Sequence, residues 1–180
     1  MLLGNKAIQE EREKGNIIIS PYSSYQMNTE SYDVRLGRWL YLQDRSGGKY
    51  WIDLKEYKEY KAVPGDFILA HTNEFIGTVA GSSIHPQFYL KSTSARLGIL
   101  HPIAGYGDEG FYNRWALEFT FAIPVILKYK MKIGQVAFSQ IVGGGDDYTQ
   151  KGHYQSTQNL DEIKLNWKKE SILPHSDSLL

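Results

Sequence analysis

The feature that most constrains the fold of this chain is a succession of short runs rich in Tyr, Ile, Val and Phe, with turn residues between them. Such residues are enriched in β-strands, and stretches such as Pro64-Gly65-Asp66 and Gly143-Gly144-Gly145 are typical of turns. The runs cover residues 16–20, 32–42, 50–54, 67–72, 75–79, 88–90, 115–121, 125–129 and 135–141. Many short strands with few helical patterns predict a mainly β fold, a sandwich or barrel of the jelly-roll type.

The two ends of the chain differ from the middle. Near the N-terminus, Leu3, Ala7 and Ile8 fall on one face of a short predicted helix, which Gly15 would end. After Asp146 the strand pattern is lost and the sequence becomes polar, which predicts a mobile arm. We expect the last part of this arm, residues 172–180, to be disordered.

Composition sets broad limits on function. The chain has 180 residues, enough for one domain with a core, and its 20 basic residues balance 20 acidic ones. No bulk charge therefore attracts a nucleic acid or an anionic membrane, and any affinity for phosphate must be local. The absence of cysteine excludes disulfides, thiolate nucleophiles and cysteine-ligated zinc.

Hydrophobicity along the chain gives no sign of a membrane protein. The longest apolar run, residues 116–127, contains Glu118 and Pro124 and is shorter than the roughly 20 residues that span a bilayer. The N-terminal segment is charged where a secretory signal would be apolar. We therefore expect a soluble, cytoplasmic protein.

The stretch K-S-T-S-A-R-L-G, residues 91–98, concentrates hydrogen-bond donors. Ser92, Thr93 and Ser94 offer hydroxyl groups, and Arg96 offers a planar fork that suits phosphate oxygens. Taken alone, the stretch is either the solvated end of a strand or a loop that holds phosphates.

Two further segments could carry chemistry. The glycine-dense A-G-Y-G-D-E-G-F, residues 104–111, is either an ordinary turn or a place where the backbone approaches a ligand. Glu118 stands inside an otherwise apolar strand, where a carboxylate is either a paired structural charge or a tuned acid or base.

The histidines show no spacing typical of metal ligands; they are His71, His85, His101, His153 and His175. His71, in F-I-L-A-H-T, is predicted to be a structural histidine with its hydrogen bonds satisfied.

The order of these segments resembles the dCTP deaminase branch of the dUTPase superfamily, from the N-terminus to about Gln158. The similar motifs are S-Y-D-V-R-L-G (31–37), P-G-D-F-I-L-A-H-T-N-E (64–74), S-T-S-A-R-L-G (92–98), A-G-Y-G-D-E-G-F (104–111), L-E-F (117–119), M-K-I-G-Q-V-A-F (131–138) and K-G-H-Y-Q (151–155). Each motif is weak alone, but together and in this order they are specific.

The resemblance implies a fold and an assembly. Residues 1–147 would form a dUTPase-like β domain, a distorted jelly roll or β-barrel with a short N-terminal helix. Residues 148–180 would form a flexible C-terminal arm that closes over the nucleotide site. Members of the family are homotrimers with active sites between subunits, so the 92–96 loop and the Glu118 strand would come from different chains.

The implied activity is hydrolytic deamination of dCTP to dUTP and ammonia, without a metal that activates the water. Glu118 would act as acid and base, while Ser92, Arg96 and the backbone near Ala104 would hold the water. The implied substrate-binding residues are Lys91, Thr93, Ser94, Ala104, Asp108, Ala116, Tyr148, His153, Gln155 and Gln158. Mg²⁺ would bind through the phosphates of the substrate and not through protein side chains.

Departures from the family pattern keep two alternatives open. Lys91 stands where the family commonly has Arg, Ile103 where it has Thr, and His153 where it has Lys. Gly105 after Ala104 is similar to bifunctional relatives, which indicates a dCTP deaminase/dUTP diphosphatase, or a dUTPase, that yields dUMP and pyrophosphate. Ile103 and His153 instead suggest a non-catalytic nucleotide-binding trimer.

Overall fold

The computed structural model of the protein describes residues 1–44, 46–102 and 104–175. The strands are β1 (Ile17–Ser20), β2 (Ser31–Arg35), β3 (Trp39–Gln43), β4 (Lys49–Asp53), β5 (Glu59–Ala62), β6 (Phe67–His71), β7 (Phe75–Thr78), β8 (Ile84–Leu90), β9 (Ile99–Leu100), β10 (Tyr112–Asn113), β11 (Ala116–Phe121), β12 (Val125–Lys128) and β13 (Lys132–Gln140). The helices are α1 (Asn5–Glu13), α2 (Ser92–Arg96), α3 (Tyr148–Lys151) and α4 (Leu160–Asn166), with 3₁₀ turns at Ser24–Gln26 and Lys169–Ile172. The predicted mainly β fold with a short N-terminal helix is therefore confirmed.

Antiparallel pairing organises the strands into four sheets within the described part of the chain. Their orders are β1-β7-β10, β4-β3-β6-β11-β9, β12-β5 and β2-β13-β8. These sheets do not join into one closed barrel. The five-stranded sheet matters most for function, because it places β11, with Glu118, between β6 and β9.

Alternation along the strands builds one main core. In β11, Leu117, Phe119 and Phe121 are buried, whereas the intervening Ala116 and Glu118 are only partly buried. Because successive strand side chains point to opposite faces, the apolar residues face the core and Glu118 faces away from it. The same pattern in the other strands buries large side chains such as Tyr32, Leu40, Ile68 and Phe138.

The predicted strand over residues 32–42 is in fact two strands. The chain leaves β2 at Leu36, and Gly37 packs directly against the imidazole of His71, where a Cβ atom would lie only 2.0 Å from Cε1. This long-range contact breaks the strand, and the local sequence does not reveal it. The prediction also missed the short strands β5, β9 and β10.

His71 is a structural histidine, as predicted. Its Nδ1 donates to the carbonyl of Thr72 at 2.8 Å, and its Nε2 accepts from the backbone N–H of Trp39 at 3.2 Å. These partners fix the neutral form, and burial lowers the pKa of His71 to about 3. The unfolded chain binds a proton here below the ordinary pKa of about 6.5, so this residue reduces stability as the pH falls from there toward 3.

The described part of the C-terminal arm is folded onto the β domain. Ile163 of α4 is buried with Phe75 and Tyr112 in a second, small apolar cluster, against which Trp167 packs. Ile172, which we expected to begin a disordered segment, is instead only 4% exposed.

Ile103 and residues 176–180 lie outside the described residues, and the domain division at 147/148 stays a prediction. None of the described helices combines the length and the apolar character needed to cross a membrane.

We predict that Gly37→Ala lowers the free energy of unfolding by about 1–3 kcal/mol, because the new methyl group must displace the buried His71 ring. Thermal or urea unfolding measures this loss. Gly145→Ala is the matched control, since its Cβ would meet its nearest atom, a carboxylate oxygen of Glu109, at an ordinary 3.5 Å. Equal stability of the two variants would contradict the proposed reason for the strand break.

Candidate active site

Glu118 lies at the centre of the candidate site because of the register of β11. It pairs with Leu69 of β6, and its side chain projects from the sheet face opposite the core. The side chain keeps 27% of its surface exposed. A carboxylate in this position can contact a ligand above the sheet while its backbone stays paired with β6.

A cavity of about 460 Å³ lies over this sheet face. The predicted site residues that line it are Glu118, Ala116, Asp108, Ala104 and Tyr148. The glycine-dense segment 104–111 thus forms one wall of the cavity, beside the Glu118 strand. Its backbone is therefore in a position to approach a ligand. A cavity of this volume is in the range typical of small-molecule sites.

The far wall of the cavity comes from the end of the C-terminal arm. Trp167 and the four residues 171–174 line it. The 3₁₀ turn before them is held by Lys169, whose Nζ lies 4.9 Å and 5.0 Å from the ring centroids of Trp39 and Trp51. The sequence analysis predicted that residues 148–180 close over the nucleotide site, but within this arm it named contacts only at Tyr148, His153, Gln155 and Gln158.

His101 is a neighbour of Glu118 that the sequence analysis did not assign to the site. Its Nε2 lies 3.4 Å from Oε2 of Glu118, and neither atom has a hydrogen-bond partner among residues 1–44, 46–102 and 104–175. The imidazole lies near the rings of Phe88 and Phe119, at centroid distances of 5.1 Å and 5.8 Å. The imidazole and the carboxylate are therefore close enough to interact.

Strand pairing explains why His101 was missed. β9 pairs with β11 through Leu100 and Thr120, so the next residue of the chain arrives beside Glu118. A search for metal-ligand spacing could not find this relation, since it depends on the register of two distant segments. Arg114, which also lines the cavity, was missed for a similar reason.

The donor-rich stretch is a one-turn helix, α2, and not the loop that we expected. Ser92, Thr93 and Arg96 are exposed, and Ser92 and Arg96 share one helix face at i, i+4 spacing. Ser94 is buried, and its hydroxyl lies 3.5 Å from the carbonyl oxygen of Lys132. None of these residues lines the Glu118 cavity of the same chain.

Lys91, at the start of α2, is held by a buried carboxylate. Its Nζ donates to Asp33 at 2.7 Å, and Lys132 lies 2.9 Å from the other oxygen of Asp33. Burial raises the pKa of Asp33, but the hydrogen bonds from Lys91, Lys132 and Asn28 outweigh burial and hold the pKa below its ordinary value. Any phosphate contact of Lys91 must therefore be shared with this network.

The arm glutamines fasten the arm to the β domain. Gln155 accepts from the backbone N–H of Tyr112 at 2.9 Å and donates to the carbonyl of Gly110 at 2.8 Å. Gln158 donates to the same carbonyl at 2.7 Å. His153 is exposed and does not line the cavity. The predicted contacts of these three residues with substrate stay predictions.

A second cavity of about 370 Å³ adjoins the first and shares Asp108 and Tyr148 with it. It is lined by further acidic side chains, among them Glu109 and Asp146. No group of three or more histidine, aspartate or glutamate side chains in the described ranges is placed to hold a metal ion. Binding of Mg²⁺ through the phosphates of the substrate stays a prediction.

Glu118 lines a cavity of small-molecule size on the open face of a β-sheet, and the imidazole of His101 lies directly beside its carboxylate. Such an arrangement is typical of an enzyme active site. The model of the dCTP deaminase-like family matches residues 2–141 of this sequence. This chain therefore belongs to the dCTP deaminase-like family of enzymes, which confirms the resemblance found in the sequence.

Individual relatives agree with the family match. A dUMP-forming dCTP deaminase from Nanoarchaeum equitans is 34% identical, with 84% of this chain and 90% of the relative covered. A protein of the same name from Hathewaya histolytica is 30% identical, with 92% and 97% covered.

Among solved structures, the 2′-deoxycytidine 5′-triphosphate deaminase from Agrobacterium tumefaciens superposes with a TM-score of 0.61 at 16% identity. The match covers 76% of this chain but only 47% of the other, so this chain spans about half of that protein's length. At this level of identity the likeness concerns the fold alone.

We predict that Gln155→Leu loosens the arm. The substitution leaves the backbone N–H of Tyr112 without its acceptor, and it removes the hydrogen bond that Gln155 donates to the carbonyl of Gly110. Hydrogen exchange should become faster across residues 148–175, while exchange in β11 stays the same. Gln150→Leu is the matched control, since Gln150 is exposed. Unchanged exchange in the arm would contradict the fastening role of Gln155.

Proposed function

We propose that this protein converts dCTP to dUMP, with release of ammonia and pyrophosphate and consumption of two water molecules. The observation that carries the proposal is the Glu118 carboxylate in its cavity, together with relatives named dUMP-forming dCTP deaminases. This is the bifunctional alternative of the sequence analysis. It is favoured over the deamination that stops at dUTP, which we predicted first.

The deamination half is assigned to Glu118. Its carboxylate accepts a proton from a water molecule as the water oxygen bonds to C4 of cytosine. That proton is then passed on to the ring nitrogen of the base, and the proton of the new C4 hydroxyl group is transferred to the amino nitrogen. The C4–N bond breaks as the C4=O bond forms, and ammonia leaves. The support for this role is the position of Glu118 in the cavity, on a strand that is fixed by its buried neighbours Leu117 and Phe119.

The hydrolysis half consumes the second water molecule. Its oxygen bonds to the α-phosphorus, the bond from that phosphorus to the bridging oxygen breaks, and pyrophosphate leaves. Mg²⁺ enters with the triphosphate in this proposal and neutralises phosphate charge.

The triphosphate is assigned to the exposed face of α2, where Ser92 and Arg96 stand together with Thr93 nearby. We propose that this face belongs to a neighbouring chain of a homotrimer. The proposal is supported by the separation of α2 from the Glu118 cavity within one chain. A single chain would then hold only part of each active site.

The first test is product analysis of dCTP incubated with Mg²⁺ and the purified protein. We predict dUMP and pyrophosphate, and a rate for Glu118→Gln that is lower by about 10²- to 10⁴-fold, because the amide cannot accept the proton. Glu59→Gln, on the exposed β5 strand, is the matched control and should retain the activity.

The other outcomes of this test are distinct. Accumulation of dUTP with no dUMP would favour the simple deaminase. Nucleotide binding without any product would favour the non-catalytic alternative and contradict the proposal.

The shared site predicts complementation between two inactive variants. Glu118→Gln and Arg96→Gln, unfolded and refolded together in equal amounts, should regain up to about a quarter of the wild-type activity, because a quarter of the sites receive both intact residues. Each variant refolded alone should stay inactive. No recovery in mixed trimers would contradict a site built between subunits.

A further inference from the structure

Arg114 is a cationic side chain in the short segment between β10 and β11, four residues before Glu118. Arg114, Ala116 and Glu118 alternate along an extended segment, and all three line the cavity. Four residues of extended chain span about 13 Å, so Arg114 stands at one end of a nucleotide-sized space and Glu118 at the other.

The guanidinium of Arg114 has an unusual environment. Its Cζ lies 4.7 Å from the ring centroid of Phe75 and 4.5 Å from that of Trp167. Its Nε is buried and has no hydrogen-bond partner in the part of the chain that the structure describes, and burial lowers the pKa of Arg114 below its ordinary value.

The carboxylate of Glu74 favours the charged form of Arg114 from a distance, but this carboxylate is already paired with Arg35, and burial has the larger effect on Arg114. Within residues 1–44, 46–102 and 104–175, Arg114 takes part in no ion pair. A half-buried charge is costly without a partner, and stacking on two rings offsets only part of that cost. The remaining donors suit an anion that arrives with a ligand.

The charges of the side chains that line the cavity indicate which kind of anion would bind to Arg114. Arg114 is the one lysine or arginine among the described residues that line the cavity, whereas Asp108 and Glu118 are carboxylates. A ligand with a phosphoryl group would be repelled by Asp108 and Glu118 and attracted to the Arg114 end. The planar guanidinium can donate two parallel hydrogen bonds to phosphoryl oxygens.

We propose that Arg114 binds a phosphoryl oxygen of the nucleotide whose base lies at Glu118. The proposal rests on the proposed function, and it adds a phosphate contact from the same chain as Glu118 to those expected from α2 of a neighbour. Arg114 is thereby a substrate-binding residue, and its stacking with Phe75 and Trp167 holds the guanidinium in place.

The test measures binding in a Glu118→Gln background, so that no turnover is needed. Calorimetry gives the affinity for dCTP and for tripolyphosphate, a probe that has phosphates but no base. Adding Arg114→Gln should weaken both by about tenfold or more, since a charge-assisted hydrogen bond is lost. Arg114→Lys should lose less.

Arg12→Gln is the matched control for the loss of charge. Arg12 also stacks on an aromatic ring, with Cζ 4.0 Å from the centroid of Tyr22, but it does not line the cavity. We expect the Arg12 variant to bind both probes as tightly as the background protein does.

Several results would overturn the inference. An unchanged dCTP affinity with a lowered melting temperature would make Arg114 a purely structural residue. Weaker dCTP binding with unchanged tripolyphosphate binding would place its contact on the base or sugar. If Arg114→Gln does not fold, Arg114→Lys decides, and an affinity equal to that of the background protein would overturn the inference. If the Glu118→Gln background binds neither probe, the proposed function itself fails.

Discussion

The rest of the structure depends on the alternation of β11 between two faces. Leu117, Phe119 and Phe121 are buried in the core, and their burial fixes both the register and the orientation of the strand. A shift by one residue would expose these side chains and bury Glu118, at a cost of about 1.5–3 kcal/mol for each large apolar side chain that is lost from the core. The stability of the core therefore holds the carboxylate over the cavity.

The other walls of the cavity are built around this strand. The turn at 104–111 forms one wall, and the end of the C-terminal arm forms another. The arm is held by a small apolar cluster around Ile163, by the amide of Gln155 and by Lys169 on the rings of Trp39 and Trp51. None of these attachments is as extensive as the main core, so the arm is the part most able to open for a ligand without loss of the β fold.

The features that could be predicted from the sequence are those that depend on local patterns of residues. Short runs rich in Tyr, Ile, Val and Phe, bounded by turn residues, predicted most of the strands, and Glu118 was singled out because it interrupts one of them. The break at Gly37 and the positions of His101 and Arg114 depend on contacts between distant segments, which the residues alone do not specify. The helix α2 was missed because serine and threonine are typical of loops, whereas here Ser94 is buried against β13 and the turn closes as a helix.

The most direct measurement is mass spectrometry of the products formed from dCTP in water enriched in ¹⁸O. If Glu118 directs one water to C4 and a second water attacks the α-phosphorus, dUMP gains one heavy oxygen in the base and one in the phosphate. Heavy oxygen in pyrophosphate in place of the dUMP phosphate would contradict the attack at the α-phosphorus. A base that remains cytosine would contradict the role of Glu118 and the proposed function with it.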